Sequence, residues 1–315
     1  MTNTEKSIIQ TLAFFDVFDY PLTLTEIWKW LYRPGEKISL SKVKEVITDS
    51  KFLKGKLSFS EGFYSLKGKE HIYLKRKHNN NLAERKFRRA IHLVKVYRFI
   101  PFVRMIAVCN TLAYSNANEN SDIDFFIITK KGTIWLARFF TILLVNIFGL
   151  RPKGEKKRDT FCLSFFVDEN HLDIQRSMLN KNDIYYPYWV SQMMPIYNPD
   201  GLYEKFLKMN KWHRDYLPNS YANNFSKEVK ETPASRFCSR IFRVIVSPPF
   251  FNRALYGFYR RLQVRIIDRN LRSLINVDTR VIVNEEMLKF YPNDNRELFY
   301  KKWREKVHSL LYLTG

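Results

Sequence analysis

The stretch that most constrains the fold of this chain covers residues 106–129, IAVCNTLAYSNANENSDIDFFIIT. A short apolar run at 106–109 gives way to small residues and then to a polar loop ending in Asn118-Glu119-Asn120. Ser121-Asp122-Ile123-Asp124 then leads directly into a second apolar run, 125–128. Alternate side chains of a strand share a face, so Asp122 and Asp124 point the same way while Ile123 points into a core. Neighbouring carboxylates repel, and a divalent cation between them favours their ionised forms. Oxygen donors of this kind suit Mg²⁺, which is held by one or two carboxylates together with substrate phosphates. A lone Asp-x-Asp more often ends a loop in solvent. Here a complete order of strand, turn, loop and strand surrounds the pair.

This stretch resembles the nucleotidyltransferase superfamily of the DNA polymerase β type. That family's pattern is an apolar residue, Gly, Gly or Ser, a spacer, and then Asp-apolar-Asp-apolar. Asn110-Thr111 stands in place of the Gly-Ser pair, and the carboxylates are Asp122-Ile123-Asp124 followed by Phe125. Asn tolerates left-handed backbone better than most residues with a side chain, and Thr keeps the hydroxyl of Ser. The resemblance covers residues 106–173. It implies that Asn110 and Thr111, joined by Ser121, position the phosphates of a nucleoside triphosphate. It also implies that Asp122 and Asp124 hold two Mg²⁺ ions about 3.5–4 Å apart. The family's third carboxylate comes from the next strand, here the run FCLSFFV at 161–167. That run offers Cys162 and Ser164, with Asp159 just ahead and Asp168 just behind, and none aligns cleanly. Asp159 is the expected substitute, entering from the leading end of the strand. General-base help contributes about 10²–10⁴ in rate, so loss of the third acid would leave nucleotide binding with little or no turnover.

Charge and composition bear on partners. Lys and Arg number 53 against 31 Asp and Glu, a net +22. Such an excess suits nucleic acid, nucleotides or an acidic membrane face, and equally a soluble basic surface. With 45% apolar and 16% aromatic residues over 315 positions, a substantial core and two or three domains are expected. Three separated cysteines, Cys109, Cys162 and Cys238, give no disulfide framework and predict no disulfide-linked partner. They suit a reducing cytoplasm, and the opening MTNTEKS lacks the apolar region of a secretory signal.

The expected fold class is α/β (α+β) in four parts. Residues 1–75 read as a winged-helix-like domain: a helix over 7–18, a second opened by the capping box Thr23-Leu24-Thr25-Glu26, a third over 41–50, and a hairpin around Ser60-Glu61-Gly62. Its third helix would offer Lys42, Lys44 and Lys51 to nucleic acid, although Glu45 and Asp49 share it. Residues 76–100 form a basic connecting helix, whose cations would follow a phosphate backbone, contact a triphosphate, or simply be solvated. Residues 101–200 form the nucleotidyltransferase-like domain with a small mixed sheet, and 184–196 reads as helical. Within it, TIWLARFFTILLVNIFGL at 133–150 approaches the length of a membrane span and has a basic flank at 151–157. Arg138 and Asn146 interrupt it, and its place between two strands favours a buried crossover helix over a membrane segment. Residues 201–315 form a helical region with a linker near 217–235 and helices over 239–246, 251–275 and 286–311, the middle one carrying Arg253, Arg260, Arg261, Arg265, Arg269 and Arg272. Asn293-Asp294 reads as a helix cap. The leading functional expectation is transfer of a nucleotidyl group from a nucleoside triphosphate to an acceptor hydroxyl by a two-metal mechanism. The alternative is a non-enzymatic nucleic-acid-binding protein retaining a degenerate fold of the same kind.

Overall fold

Reciprocal capping boxes start the first two helices. Thr2 and Glu5 cap α1 (Asn3–Asp16). In α2 (Leu24–Lys29) the Glu26 N–H donates to Thr23 Oγ1 at 3.3 Å and the Thr23 N–H donates to Glu26 Oε2 at 2.9 Å. The computed structural model describes residues 1–151, 158–225, 228–246, 249–266 and 269–312, with side chains outside 242–255 and 266–270. Serines cap the next two helices, α3 (Leu40–Asp49) and α4 (Lys51–Lys56), the latter an extra turn beyond the expected three helices. The hairpin of β1 (Leu57–Ser60) and β2 (Phe63–Leu66) follows as expected.

This N-terminal unit does not close its own core. Trp303, Val307 and Leu311 of the last helix pack into it, as does Tyr188, whose ring stacks on Phe14 with centroids 4.0 Å apart. Trp303 Nε1–H also donates to the Gln10 carbonyl at 2.9 Å. The connecting helix α5 (Ile72–Tyr97) is one turn longer at its start than expected. Several of its cations already have carboxylate partners. Lys75 meets Asp19 at 2.7 Å, Arg76 meets Glu26 at 2.7 Å, and Lys77 meets Glu61 at 3.1 Å. These pairs tie the start of the helix to the N-terminal helices and the hairpin.

The centre of the molecule is a six-stranded mixed sheet. In chain order its elements are β3 (Val103–Val108), α6 (Asn110–Ala113), β4 (Ile123–Thr129), α7 (Ile134–Ile147), β5 (Phe161–Asp168), α8 (Tyr185–Gln192), β6 (Met194–Tyr197), α9 (Leu202–Met209), α10 (Pro233–Val246), α11 (Pro249–Ile266), α12 (Arg269–Arg272), β7 (Val281–Val283), β8 (Met287–Phe290) and α13 (Arg296–Tyr312). The strand order is β6-β3-β4-β5-β8-β7, with β4 and β5 parallel and every other pair antiparallel. A parallel pair needs a crossover, and α7 supplies it. Ile134, Trp135, Leu136 and Ala137 of that helix are buried against the sheet, which accounts for its apolar sequence. No helix among the described residues is long and apolar enough to cross a membrane. Of the basic flank, 152–157 lies outside the described residues.

Three expectations are corrected. The helix read over 184–196 stops at Gln192, and Met194–Tyr197 turns into the edge strand paired with β3. The region 201–315 is not wholly helical. Residues from 286 onward, read as the start of a helix, form β8 against β5, and β7 adds the outermost strand. The stretch 251–275 is divided between α11 and α12, and the side chains of Arg253 and Arg269 lie outside the described residues. The described residues of the linker expected near 217–235, 217–225 and 228–232, are irregular up to α10, but they are anchored. The Val229 N–H donates to the Ile196 carbonyl at 2.8 Å, and Phe225 stacks on Phe87 at 5.0 Å. An edge strand with unpaired backbone groups is an aggregation hazard, and this segment covers part of that edge.

Candidate metal centre

The acid pair sits where β4 begins. Ile123 is fully buried, while Asp122 and Asp124 are half-buried and lie together, as period-two alternation requires. Parallel pairing with β5 sets Asp124 opposite Cys162, and an irregularity immediately after it shifts the register so that Phe126 faces Phe165. The result is one cluster. Ligand atoms of Asp122, Asp124 and Cys162 all lie within 4.8 Å of one another, the only group of three such residues among those described.

Cys162 Sγ also lies 2.7 Å from Ser164 Oγ. Burial pushes the Cys162 thiol well above its ordinary 9.0, and the charges of Asp124 and Asp122 push it the same way. Tyr291 lies next to the cluster, within electrostatic range of Cys109, Asp124 and Cys162. Its hydroxyl is buried and lies against the Cys109 thiol.

Asn110, the residue in the glycine position, has φ +57°, the left-handed backbone expected of it. Its side chain faces away from a ligand role in one respect. The Oδ1 atom accepts from Trp189 Nε1–H at 2.9 Å and from the Tyr185 hydroxyl at 3.4 Å. The Thr111 carbonyl accepts the Asn116 N–H at 2.8 Å, closing the turn after α6. Ser121 Oγ accepts the Asn118 N–H at 3.0 Å, so its hydroxyl shapes the loop. The start of α6 and the start of β4 are neighbours, since the Cys109 N–H donates to the Asp124 carbonyl at 3.1 Å. Two cavities lie nearby, neither of them lined by Asp122 or Asp124. One of about 230 Å³ reaches Asn110 and is walled by Tyr185, Tyr186, Trp189, Lys289 and Tyr291. Another, of about 590 Å³, lies against Cys162 and Ser164 and has Arg138, Asn146 and Arg151 on its wall.

Asp159 stands apart from the cluster. Its Oδ1 is 2.8 Å from Lys86 Nζ, and Arg85 and Arg158 approach its other oxygen at 3.7 and 4.0 Å. Burial pushes the Asp159 carboxyl up, but Lys86 with Arg85 and Arg89 outweighs it and holds the group below the ordinary 3.8. Lys86 also donates to the Ser121 carbonyl at 2.7 Å. Asp159 therefore anchors the loop that presents the acid pair, and Cys162 takes the place beside Asp124 where the third acid was sought. Sequence reasoning missed this because register across a parallel pair is a long-range property. Lys86 was missed as well, reading as one more cation on a basic helix.

Cys162 puts a sulfur where an all-oxygen site for the two Mg²⁺ ions implied by the resemblance would have a third oxygen donor. Mg²⁺ demands near-octahedral oxygen coordination, and a thiol in the third position removes an oxygen ligand. No family model, curated protein or solved structure matches this chain.

Proposed function

We propose that this chain is a nucleotidyltransferase-like protein that binds a nucleoside triphosphate beside Asp122 and Asp124. Its reaction class is transfer of a nucleotidyl group to an acceptor hydroxyl, with pyrophosphate leaving, and its turnover is slow. The observation that carries the reading is the convergence of Asp122, Asp124 and the facing residue of the next strand within 4.8 Å, next to a left-handed Asn110. Arg138 and Arg151, on the wall of the larger cavity, supply positive charge for the phosphates. The loss of rate follows from Cys162. A thiol held protonated by burial does not serve as the base a carboxylate would provide, a role worth about 10²–10⁴ in rate.

In this reading the N-terminal helices and hairpin are a winged-helix-like accessory domain. The net charge of +22 favours a second reading, in which the chain binds nucleic acid without chemistry, and exposed Lys44 and Lys51 lie at the third and fourth helices of that unit. Labelled triphosphates incubated with cell extract separate the two. Label transferred by the wild type and not by an Asp122→Asn/Asp124→Asn double variant supports the first reading. Duplex binding that ignores both changes and falls steeply with salt, with no triphosphate binding, supports the second.

A further inference from the structure

Cys162 changes what the acid pair is able to hold. Strand register brings its Sγ beside Asp124, and a register shift follows immediately. The donor set is two carboxylate oxygens and one sulfur. Zn²⁺ takes sulfur at about 2.3 Å and oxygen at about 2.0–2.2 Å in tetrahedral sites, so three ligands converging on one ion lie about 3.3–3.7 Å apart. The atoms here lie within 4.8 Å, and small side-chain rotations close the difference. Soft thiolate selects Zn²⁺ and similar borderline ions, whereas Mg²⁺ prefers all-oxygen sets. The buried Tyr291 hydroxyl, within electrostatic range of Asp124 and Cys162, adds a polar group beside the cluster.

We propose that Asp122, Asp124 and Cys162 bind a single thiophilic divalent ion of the Zn²⁺ class, with a fourth position open for water or a phosphate oxygen, and that Cys162 selects this ion over Mg²⁺. Binding replaces the S–H bond by a sulfur–metal bond and releases one proton to solvent. The proposal goes beyond the nucleotidyl-transfer reading, and it stands whether or not a triphosphate binds.

Co²⁺ added to the full chain is the direct probe, because sulfur bound to Co²⁺ gives a near-ultraviolet charge-transfer band that oxygen ligands do not. The band is expected in the wild type, displaced by Zn²⁺ and unaffected by millimolar Mg²⁺. It is expected to persist in Cys109→Ala and Cys238→Ala and to vanish in Cys162→Ser. Removal of outer partners alone typically costs about 10–100-fold in metal affinity, so loss of this ligand should weaken Zn²⁺ binding at least about tenfold. Cys162→Asp, which restores an oxygen triad, should reverse the preference toward Mg²⁺ and Mn²⁺. Should the variants fail to fold, alkylation of wild-type Cys162 decides: Zn²⁺ must slow it and Mg²⁺ must not. A cobalt band unchanged in Cys162→Ser, no cobalt band at all, or Mg²⁺ competing on equal terms overturns the proposal.

Discussion

Lys86 Nζ lies 2.8 Å from the Asp159 carboxylate, with the lysine side chain fully buried and the aspartate 19% exposed. Breaking a buried pair from one side leaves the other charge uncompensated, at about 3–5 kcal/mol. Lys86→Met should therefore cost about 3 kcal/mol or more in urea unfolding. The double variant with Asp159→Asn should cost less than the two single changes added together. Asp159→Asn alone should leave cation binding intact, since that carboxylate is outside the cluster. Loss of the metal site in Asp159→Asn would return Asp159 to the role of third acid.

The same pair sets an acid dependence. The folded pKa of Asp159 is held below its ordinary 3.8, so its contribution to stability is present above that value. It is lost as pH falls through the lower folded value. Wild type should lose stability faster than Asp159→Asn as pH drops from about 5 toward 2, as read by urea midpoints.

Lys289 predicts a trend of the same sign at higher pH. It is 3% exposed, donates to the Thr279 carbonyl at 2.6 Å, and has Arg296 nearby. Burial, reinforced by Arg296, pushes its ammonium down to about 7 from the ordinary 10.5. Between those values the unfolded chain binds the extra proton, so this residue makes stability rise with pH from about 7 upward. Below about 7 both states are charged and the cost of burying the charge is fully present. Lys289→Met should flatten that rise and raise the urea midpoint at neutral pH.

Trp303 joins the ends of the chain. Its ring packs against Tyr32 at 5.5 Å, and its indole N–H reaches Gln10. Trp303→Ala should cost roughly 3–5 kcal/mol, with loss of amide protection in α1 as well as α13 under hydrogen exchange. Protection lost in α13 alone would show that the N-terminal unit holds its own core.

Much of the fold is legible in the sequence where local rules suffice. The capping box at Thr23, the hairpin around Glu61 and the strands carrying Asp124 and Cys162 each rest on short-range chemistry. β6, β7 and β8 do not. Met-Pro-Ile-Tyr follows an aromatic helix without a break signal other than Pro195, and Val-Ile-Val is too short to show alternation. Pairing of β6 with β3, β8 with β5 and β7 with β8 completes them, and sequence alone does not display pairing. The same limit applies to the site. Asp122 and Asp124 announce themselves by spacing, Asn110 by its tolerance of left-handed backbone, but the place of Cys162 is a matter of register.

Binding of a labelled, non-hydrolysable nucleoside triphosphate in the presence of Zn²⁺ or Mn²⁺ tests the central claim most directly. Cation-dependent binding by the wild type is expected, abolished by a chelator and weakened by more than about tenfold in Asp122→Asn/Asp124→Asn. Equal binding by wild type and double variant, or none by a wild type that holds the cation, would contradict it.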